Sequence, residues 1–330
     1  MKYYIGLDIG GTKCASILAF EENENLTFLY RKEFKTVDKT PEEIINKLIL
    51  DSKEALKENH LSLSDITSIG VSCGGPLDSK KGIILCPPNL SEWINIEIVK
   101  ILEKNLKIPA FLQNDAKACA IAEQRFGAGK GTKNMIFCTM GTGFGAGIII
   151  ENKIYTGTND MAGEVGHIRL APDGPIGFGK AGSFEGFCSG GGITLLGKKL
   201  IKSKLEKGEI VDFCNDLTDL NNLNTKIICE NAQKGNKTAM EIIKISAEKL
   251  GYGLSILIDT LNPEAIVIGS VYARNENLFK PFVEEIIEKE TISYSKEVCK
   301  ILPAKLGDSI GNYGAIVVAS YGMEERINLN

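Results

Sequence analysis

The stretch Asp8-Ile9-Gly10-Gly11-Thr12-Lys13 determines the fold class of this chain. It begins at the end of the apolar run YYIGLDI (3–9) and leads into the run CASILAF (14–20), and both runs are typical of strands. Glycines let backbone amides approach an anion closely, and a threonine adds a hydroxyl donor. A carboxylate at a strand end, such as Asp8, can hold Mg²⁺ through water. One such turn also fits a plain β-hairpin, so it does not decide the function by itself.

A second glycine turn, TMGTGFGAG (139–147), follows the predicted strand NMIFCTM (134–140). Its G-x-G spacing is shared with dinucleotide-binding folds, which need a helix directly after the glycines. The β-branched run AGIIIENKIY follows instead, and no G-K-[ST] ends the turn, so neither that fold nor a Walker A loop is indicated. The similar units at 3–20 and 134–150 indicate a duplicated fold. Two such turns facing each other would hold the phosphates of a nucleotide from both sides.

The rest of the chain alternates predicted strands and helices, as in an α/β protein. A helix is predicted from Thr40, which caps it, with Pro41 at its first position. A loop-rich stretch is expected at about 156–190. Further strands are predicted at LTFLYRKEF (26–34), ITSIGVS (66–72), GIILC (82–86), KIPAFLQ (107–113), NKIY (152–155), AIVIG (265–269) and KILPA (300–304), and further helices at 116–126, 237–261, 277–289 and 308–323.

Composition excludes several classes of protein. The formal net charge of −4 among 330 residues argues against nucleic acid as a partner. No apolar run approaches the ~20 residues of a membrane span, and the N-terminus has no signal-peptide pattern. Nine scattered cysteines without C-x-x-C spacing fit a reducing cytoplasm, and two histidines cannot make a histidine-rich metal site. We therefore expect a cytoplasmic protein with neither nucleic-acid nor membrane partners.

Three further groups of polar residues are candidates for a site. Asn114-Asp115 follows a predicted strand, where ligand-binding residues are common in α/β proteins, although both residue types also cap helices. The stretch GEVGH (163–167) places a carboxylate and an imidazole on one turn, although a lone histidine is more often structural. Glu185 ends the glycine-rich stretch DGPIGFGKAGSFEG (173–186), where it also fits a plain surface charge.

Together these motifs resemble the ROK family (repressor, open reading frame, kinase), which contains sugar kinases and regulators of the actin/hexokinase-like ATPase superfamily. The resemblance implies an α/β, bilobal actin-like ATPase (ribonuclease H-like) fold with two related lobes around a cleft. It places the lobe boundaries at 1–118 plus 308–330, which includes a closing C-terminal helix, and at 119–307. The matching segments are DIGGTK (8–13), QNDAKACAIAE (113–123), TMGTGFGAG (139–147), GEVGH (163–167), LNPEAIVIGS (261–270) and LGDSIGNYGAIVVA (306–319).

The resemblance also implies a role for each candidate residue. Asp115 would be the catalytic base that takes the proton of the attacking sugar hydroxyl. ATP and Mg²⁺ would be bound by Asp8, Gly10, Gly11, Thr12, Lys13, Thr139, Gly141, Thr142, Gly143, Gly145 and Gly269. The sugar would be bound by Gly75, Pro76, Asn89, Asn114, Asp115, Glu164, His167 and Glu185.

The stretch 173–186 departs from the family pattern. The family has C-x-C-G-x-x-G-C-x-E here, and its three cysteines bind a structural zinc together with the histidine of the preceding GH. This chain has Ile176, Phe178 and Ser183 at the cysteine positions. We therefore expect no zinc, and we expect the packing of Ile176 and Phe178, together with bound sugar, to hold the loop. Ser270 is a second departure, because the family often has glycine there.

The function implied by the resemblance is an ATP-dependent sugar kinase that acts on the 6-hydroxyl of a hexose and forms a homodimer. Glucose is the first choice, because GGP (74–76) and PNLSEW (88–93) look like the family's glucokinases. A kinase for N-acetylmannosamine, or for another aminosugar or hexose, is the alternative. A sugar-binding regulator without kinase activity is an alternative of another class. Only two residues precede the first predicted strand, so we do not expect the DNA-binding domain that the family's repressors carry there. A filament or chaperone ATPase of the superfamily would have no use for a sugar-binding turn.

Overall fold

The structure is a computed structural model, and it describes residues 1–328. Strands and helices are mixed along the chain, as expected for an α/β protein. The strands are β1 (Lys2–Ile9), β2 (Lys13–Glu22), β3 (Asn25–Lys35), β4 (Ile66–Cys73), β5 (Leu77–Asp78), β6 (Ile83–Ile84), β7 (Ala110–Asn114), β8 (Met135–Met140), β9 (Phe144–Ile150), β10 (Lys153–Tyr155), β11 (Ile176–Gly177), β12 (Lys180–Ala181), β13 (Ala265–Ile268) and β14 (Lys300–Pro303). The helices are α1 (Pro41–Glu58), α2 (Ile98–Leu106), α3 (Asp115–Phe126), α4 (Phe184–Cys188), α5 (Gly190–Glu206), α6 (Thr225–Gln233), α7 (Lys237–Leu261), α8 (Val271–Arg274), α9 (Glu276–Glu290), α10 (Ser293–Val298) and α11 (Ile310–Asn328).

The chain divides into two compact units. Unit 1 contains Met1–Gly131, Lys153–Ala162 and the chain from Asp308 onward, and unit 2 contains Thr132–Asn152 and Gly163–Gly307. The boundary expected between residues 118 and 119 falls inside α3. That helix stays whole in unit 1 because it packs against α11, and the chain leaves the unit only after the helix has ended.

Unit 1 is built on a five-stranded sheet in the order β3-β2-β1-β4-β7. The pair β1–β2 is an antiparallel hairpin, and β4 and β7 extend the sheet in parallel with β1. The register aligns Ile9 with Cys73 and Cys73 with Asn114. The carboxyl ends of β1, β4 and β7 therefore meet at one edge, which is where α/β proteins commonly bind ligands.

Helix α11 packs closely on this sheet. A Cβ atom added to Gly70 of β4 would lie only 2.2 Å from the carbonyl oxygen of Ala315, so glycine is required for this approach. The contact buries Ala315, Ile316 and Ala319. The predicted C-terminal helix is thus present, although it begins at Ile310 and continues to Asn328 rather than to residue 323.

Four strands of unit 2, in the order β9-β8-β13-β14, repeat the order β2-β1-β4-β7 of unit 1. The antiparallel hairpin β8–β9 corresponds to β1–β2, and β13 and β14 extend it in parallel as β4 and β7 do. The duplication expected from the two glycine turns is therefore confirmed at the level of topology. The core of the unit includes α7, which matches the predicted span of 237–261 and is capped by Asn236.

Among the described residues, no helix has both the length and the apolar character of a membrane span.

Candidate active site

The first glycine turn joins β1 to β2 in unit 1. The Gly10 amide donates a hydrogen bond to the Lys13 carbonyl (3.1 Å), and the Thr36 hydroxyl donates to the Gly10 carbonyl (2.7 Å). A Cβ atom added to Gly11 would lie 2.5 Å from the Asn89 carbonyl oxygen. The turn is therefore fixed in place, and the structure brings Asn89 against it.

The carboxylates of Asp8 and Asp115, both in unit 1, interact electrostatically. Burial, together with the negative charge of Asp115, raises the pKa of Asp8 to about 6. Asp115 is exposed and therefore open to a ligand, but desolvation by the surrounding protein atoms raises its pKa as well. The surroundings of both carboxylates disfavour their negatively charged forms. A hard divalent cation such as Mg²⁺, which prefers oxygen ligands, would offset this negative charge.

Asn114 and Asp115 begin helix α3. The Asn114 Oδ1 atom accepts from the amides of Ala116 (3.0 Å) and Lys117 (3.3 Å), so Asn114 is the N-cap of this helix. The Asp115 Oδ1 atom accepts from the Ala116 amide at 2.8 Å. The helix begins here because the strand end supplies a side chain that satisfies the first free amides.

The segment at Gly75 lies beside this helix start. A Cβ atom added to Gly75 would lie 3.4 Å from the Asn114 Nδ2 atom, and the Gly75–Pro76 peptide bond is cis. The structure thus gathers Asp8, the first turn, Asn89, Gly75-Pro76 and Asn114-Asp115 within unit 1.

The second glycine turn joins β8 to β9 in unit 2. Met140 pairs with Phe144 and Thr139 pairs with Gly145, so Thr139 and Gly145 belong to the strands. The Gly141 carbonyl accepts from the Gly190 amide, the first residue of α5, at 2.7 Å. The second turn therefore lies against a helix start.

Glu185 connects the second turn to the GEVGH turn. Its Oε2 atom accepts from the Phe144 amide at 3.0 Å. A Cβ atom added to Gly166 would lie 2.0 Å from the Phe144 carbonyl oxygen and 3.3 Å from the Glu185 Cβ atom. The Ala146 amide donates to the Gly163 carbonyl at 2.9 Å. The turn that carries the exposed side chains of Glu164 and His167 is thus held on β9 next to Glu185.

Gly269 follows β13 and lies beside the second turn. Its amide donates to the Cys138 carbonyl at 2.9 Å. The next residue, Ser270, has a φ of 54° and places its hydroxyl 3.6 Å from the position of a Cβ atom added to Gly141. The family resemblance predicts that Gly269 lies near the nucleotide. The structure adds that the Ser270 hydroxyl faces the turn.

Two features of these sites were missed by sequence reasoning. The glycine run 190–192 begins α5 beside the second turn, and the run itself was the signal that could have indicated it. In unit 1 the buried Lys117 donates from Nζ to the Asp160 carbonyl. The Asp160 carboxylate accepts from the amide and the hydroxyl of Ser79, both at 2.8 Å. This network ties the segment after Pro76 to α3, and no sequence pattern indicated it.

The expectation that Ile176 and Phe178 pack to hold the loop 173–186 is wrong. Their exposures are 60% and 73%, because they lie on the outside of the hairpin β11–β12. The loop is held by hydrogen bonds instead. The buried Ser183 hydroxyl accepts from the Gly186 amide (3.1 Å), and the Gly182 amide donates to the Pro175 carbonyl (3.1 Å). Within residues 1–328, no group of three or more His, Cys, Asp or Glu side chains is placed to hold a metal ion.

Comparison with known proteins places the chain in one family. The family model described as "ROK family" matches residues 4–321. A glucokinase of Streptomyces coelicolor is 30% identical over 317 residues, which cover 96% of each chain. A xylose repressor of Caldicellulosiruptor bescii is 28% identical and is matched over 95% of this chain and 77% of the repressor. The crystal structure of a ROK family glucokinase from Streptomyces griseus, in complex with glucose and AMPPNP, superposes with a TM-score of 0.76 at 30% identity and covers 97% of this chain and all of that one.

The chain has the α/β fold of the actin-like ATPases, which the ROK kinase structures share. Within that class the chain belongs to the ROK family. Its relatives include both sugar kinases and sugar-linked repressors, so family membership alone does not distinguish catalysis from regulation.

Proposed function

We propose that the protein is an ATP-dependent sugar kinase that phosphorylates the 6-hydroxyl of a hexose, with glucose as the preferred substrate. The observation that carries this proposal is the placement of Asp115. Its carboxylate is exposed at the start of α3, on the sheet edge that also carries Asp8 and the first glycine turn. A molecule that only sensed sugar would have no use for a proton acceptor beside a phosphate-binding turn.

Asp115 acts as the general base in this proposal. An ionised carboxylate is only an acceptor of hydrogen bonds, and its raised pKa makes it a better base than an ordinary aspartate. As the O6–phosphorus bond forms and the bond from phosphorus to the ADP oxygen breaks, the O6 proton passes to Asp115. Phosphoryl transfer depends mainly on positioning and on charge neutralisation, so one oriented base is sufficient.

Each glycine turn is a candidate phosphate-binding element within its own unit. Gly10, Gly11 and Thr12 in unit 1 offer backbone amides and a threonine hydroxyl to anionic oxygens, and the turn 141–143 in unit 2 offers the same kinds of group. Asp8 would hold Mg²⁺, and the ion, when bound, would neutralise phosphate charge. Lys13 already pairs with Glu33 at 2.8 Å, so its ammonium is partly neutralised before any nucleotide binds.

The candidate sugar-binding side chains are Asn114 and Asp115 in unit 1 and, considered separately, Glu164, His167 and Glu185 in unit 2. These side chains offer acceptors and donors that match hydroxyl groups. Asn89 and the Gly75-Pro76 segment add backbone contacts. Support for glucose comes from the two glucokinases, each 30% identical to this chain, one of which was crystallised with glucose.

A coupled assay of ADP release with a panel of hexoses tests the proposal. Wild-type protein with ATP and Mg²⁺ should turn over glucose faster than mannose, N-acetylmannosamine or other sugars of the panel. The Asp115→Asn variant is the matched control, because it keeps the size and shape of the side chain. Faster turnover of N-acetylmannosamine than of glucose would show that the protein is a kinase for that sugar. Sugar binding without ADP release in any condition would identify a regulator.

A further inference from the structure

Phe178 occupies a turn position that ordinarily excludes it. Strands β11 and β12 are joined by the two residues Phe178 and Gly179, whose φ angles are 42° and 75°. Positive φ at both central residues is the requirement of a type I′ hairpin turn, which strongly prefers Asn-Gly. A large aromatic residue at the first position is strained there.

The side chain of Phe178 is also poorly placed for stability. It is 73% exposed, so the turn does not recover the strain by burying the ring. Strain and apolar exposure together disfavour phenylalanine on stability grounds, and such outliers point to function. The ring has one aromatic neighbour, His167, whose ring centroid is 6.3 Å away with an interplanar angle of 78°.

The two strands that flank this ring are held against neighbouring elements of unit 2. Gly177 lies so close to α4 that an added Cβ atom would be 2.5 Å from the Gly186 amide nitrogen. The Lys180 ammonium donates to the His167 carbonyl at 2.7 Å and ties the second strand of the hairpin to the GEVGH turn. Phe178 and His167 are therefore parts of one connected surface within unit 2.

We infer that Phe178 is a sugar-binding residue that packs its ring against the C–H face of the pyranose, whose hydroxyls form hydrogen bonds with His167. This inference rests on the proposed function. The face of an aromatic ring is negative and attracts polarised C–H groups, and glucopyranose, with its equatorial hydroxyls, shows axial C–H groups on both faces. His167 then supplies the polar contact and Phe178 the apolar one.

The test compares Phe178→Asn with Phe178→Tyr and Ile176→Thr. Asparagine restores the preferred turn and removes the ring, tyrosine keeps the ring, and Ile176 is an exposed residue of the same hairpin without a ring contact to His167. Glucose KM, ATP KM and kcat are measured together with Tm without sugar. A calorimetric titration with glucose measures binding directly.

For Phe178→Asn we expect glucose KM and Kd to rise about 2- to 10-fold, which is the range of one aromatic contact. We also expect Tm to rise by about 1–3 °C, because strain is relieved. ATP KM and kcat should not change, and neither Phe178→Tyr nor Ile176→Thr should weaken glucose binding.

Two outcomes overturn the inference. If the wild type is active and Phe178→Asn leaves the glucose KM unchanged, the ring does not contact the sugar. If Tm falls in that variant, the ring contributes to stability instead. Failure of the wild type to bind or phosphorylate any hexose is distinct, because it removes the proposed function itself and the inference with it.

Discussion

The carboxylate of Glu185 accepts a hydrogen bond from the backbone amide of Phe144, with 3.0 Å between Oε2 and the nitrogen. The bond joins the loop assigned to the sugar to the turn assigned to the nucleotide. It occupies one of the two carboxylate oxygens. Glu185 therefore supports the second glycine turn in addition to any contact it makes with sugar.

Loss of the Glu185 carboxylate should affect both substrates. We expect Glu185→Ala to raise the sugar KM by about 5- to 150-fold, because a polar group that loses its partner costs about 1–3 kcal/mol. The ATP KM should rise too, since the Phe144 amide beside Gly143 loses its acceptor. Sequence alone predicts little change for ATP. Initial-rate kinetics with each substrate varied in turn measure both constants.

The controls for Glu185 are Glu185→Gln and alanine variants of Glu164 and His167. Glutamine keeps an acceptor for the Phe144 amide, so its ATP KM should stay near that of the wild type. Glu164→Ala and His167→Ala should raise the sugar KM over the same range and leave ATP unaffected. A larger effect on ATP than on sugar in these two variants would place the GEVGH turn in the nucleotide site.

Removal of the base should slow catalysis without preventing binding. We expect Asp115→Asn to lower kcat by roughly 10²–10⁴-fold, which is the usual contribution of a general base. Sugar KM should change far less, because asparagine keeps the shape of the side chain and some of its hydrogen bonds. Steady-state kinetics and a thermal unfolding curve test this. Near-normal kcat would mean that Asp115 only helps to begin α3.

Asn114 has two separable roles. As the N-cap of α3 it satisfies two amides, so Asn114→Ala should lower the free energy of unfolding by about 1 kcal/mol. Asn114→Ser keeps a capping oxygen but loses the amide group that lies near Gly75. We therefore expect the serine variant to retain wild-type stability in urea titrations and to show a raised sugar KM. Equal stability losses in both variants would argue against the cap.

Local pattern predicted much of the fold. Helix α7 matches its predicted span because apolar periodicity and a capping Asn236 agree. Strand β7 begins at Ala110 rather than at residue 107, because Lys107 ends α2 in a left-handed conformation and Pro109 has no amide to donate. The stretch expected as loop to residue 190 contains α4, whose cap is Ser183.

The contacts of the candidate site were less predictable. The motifs indicated Asp115, Glu164 and Glu185, but Glu185 and Phe144 are 41 residues apart, and no local pattern connects them. The apolar character of Phe178 predicted a packed side chain, but the residue lies in a two-residue hairpin turn, where its side chain is exposed. Contacts between residues far apart in the sequence, and the geometry of turns, are set by the folded chain. Local sequence patterns therefore do not predict them.

The loop 173–186 should keep its structure without zinc. Ile176, Phe178 and Ser183 stand at the family's thiolate positions, and His167 alone cannot complete a four-coordinate site. The buried Ser183 instead accepts from the Gly186 amide, and its hydroxyl lies 3.4 Å from the Gly177 carbonyl oxygen as a donor. Ser183→Ala should therefore lower the free energy of unfolding by about 1–3 kcal/mol.

Elemental analysis and chelation decide whether this interpretation is correct. Purified protein should contain far less than one zinc per chain, and activity lost on chelation should return with Mg²⁺ alone. Ser183→Thr, which keeps the hydroxyl, is the matched control for the alanine variant and should recover part of the lost stability. We also expect the loop to be more mobile without sugar, which hydrogen exchange with and without glucose measures. Stoichiometric zinc, or activity that Mg²⁺ cannot restore, would show that a metal ion holds the loop.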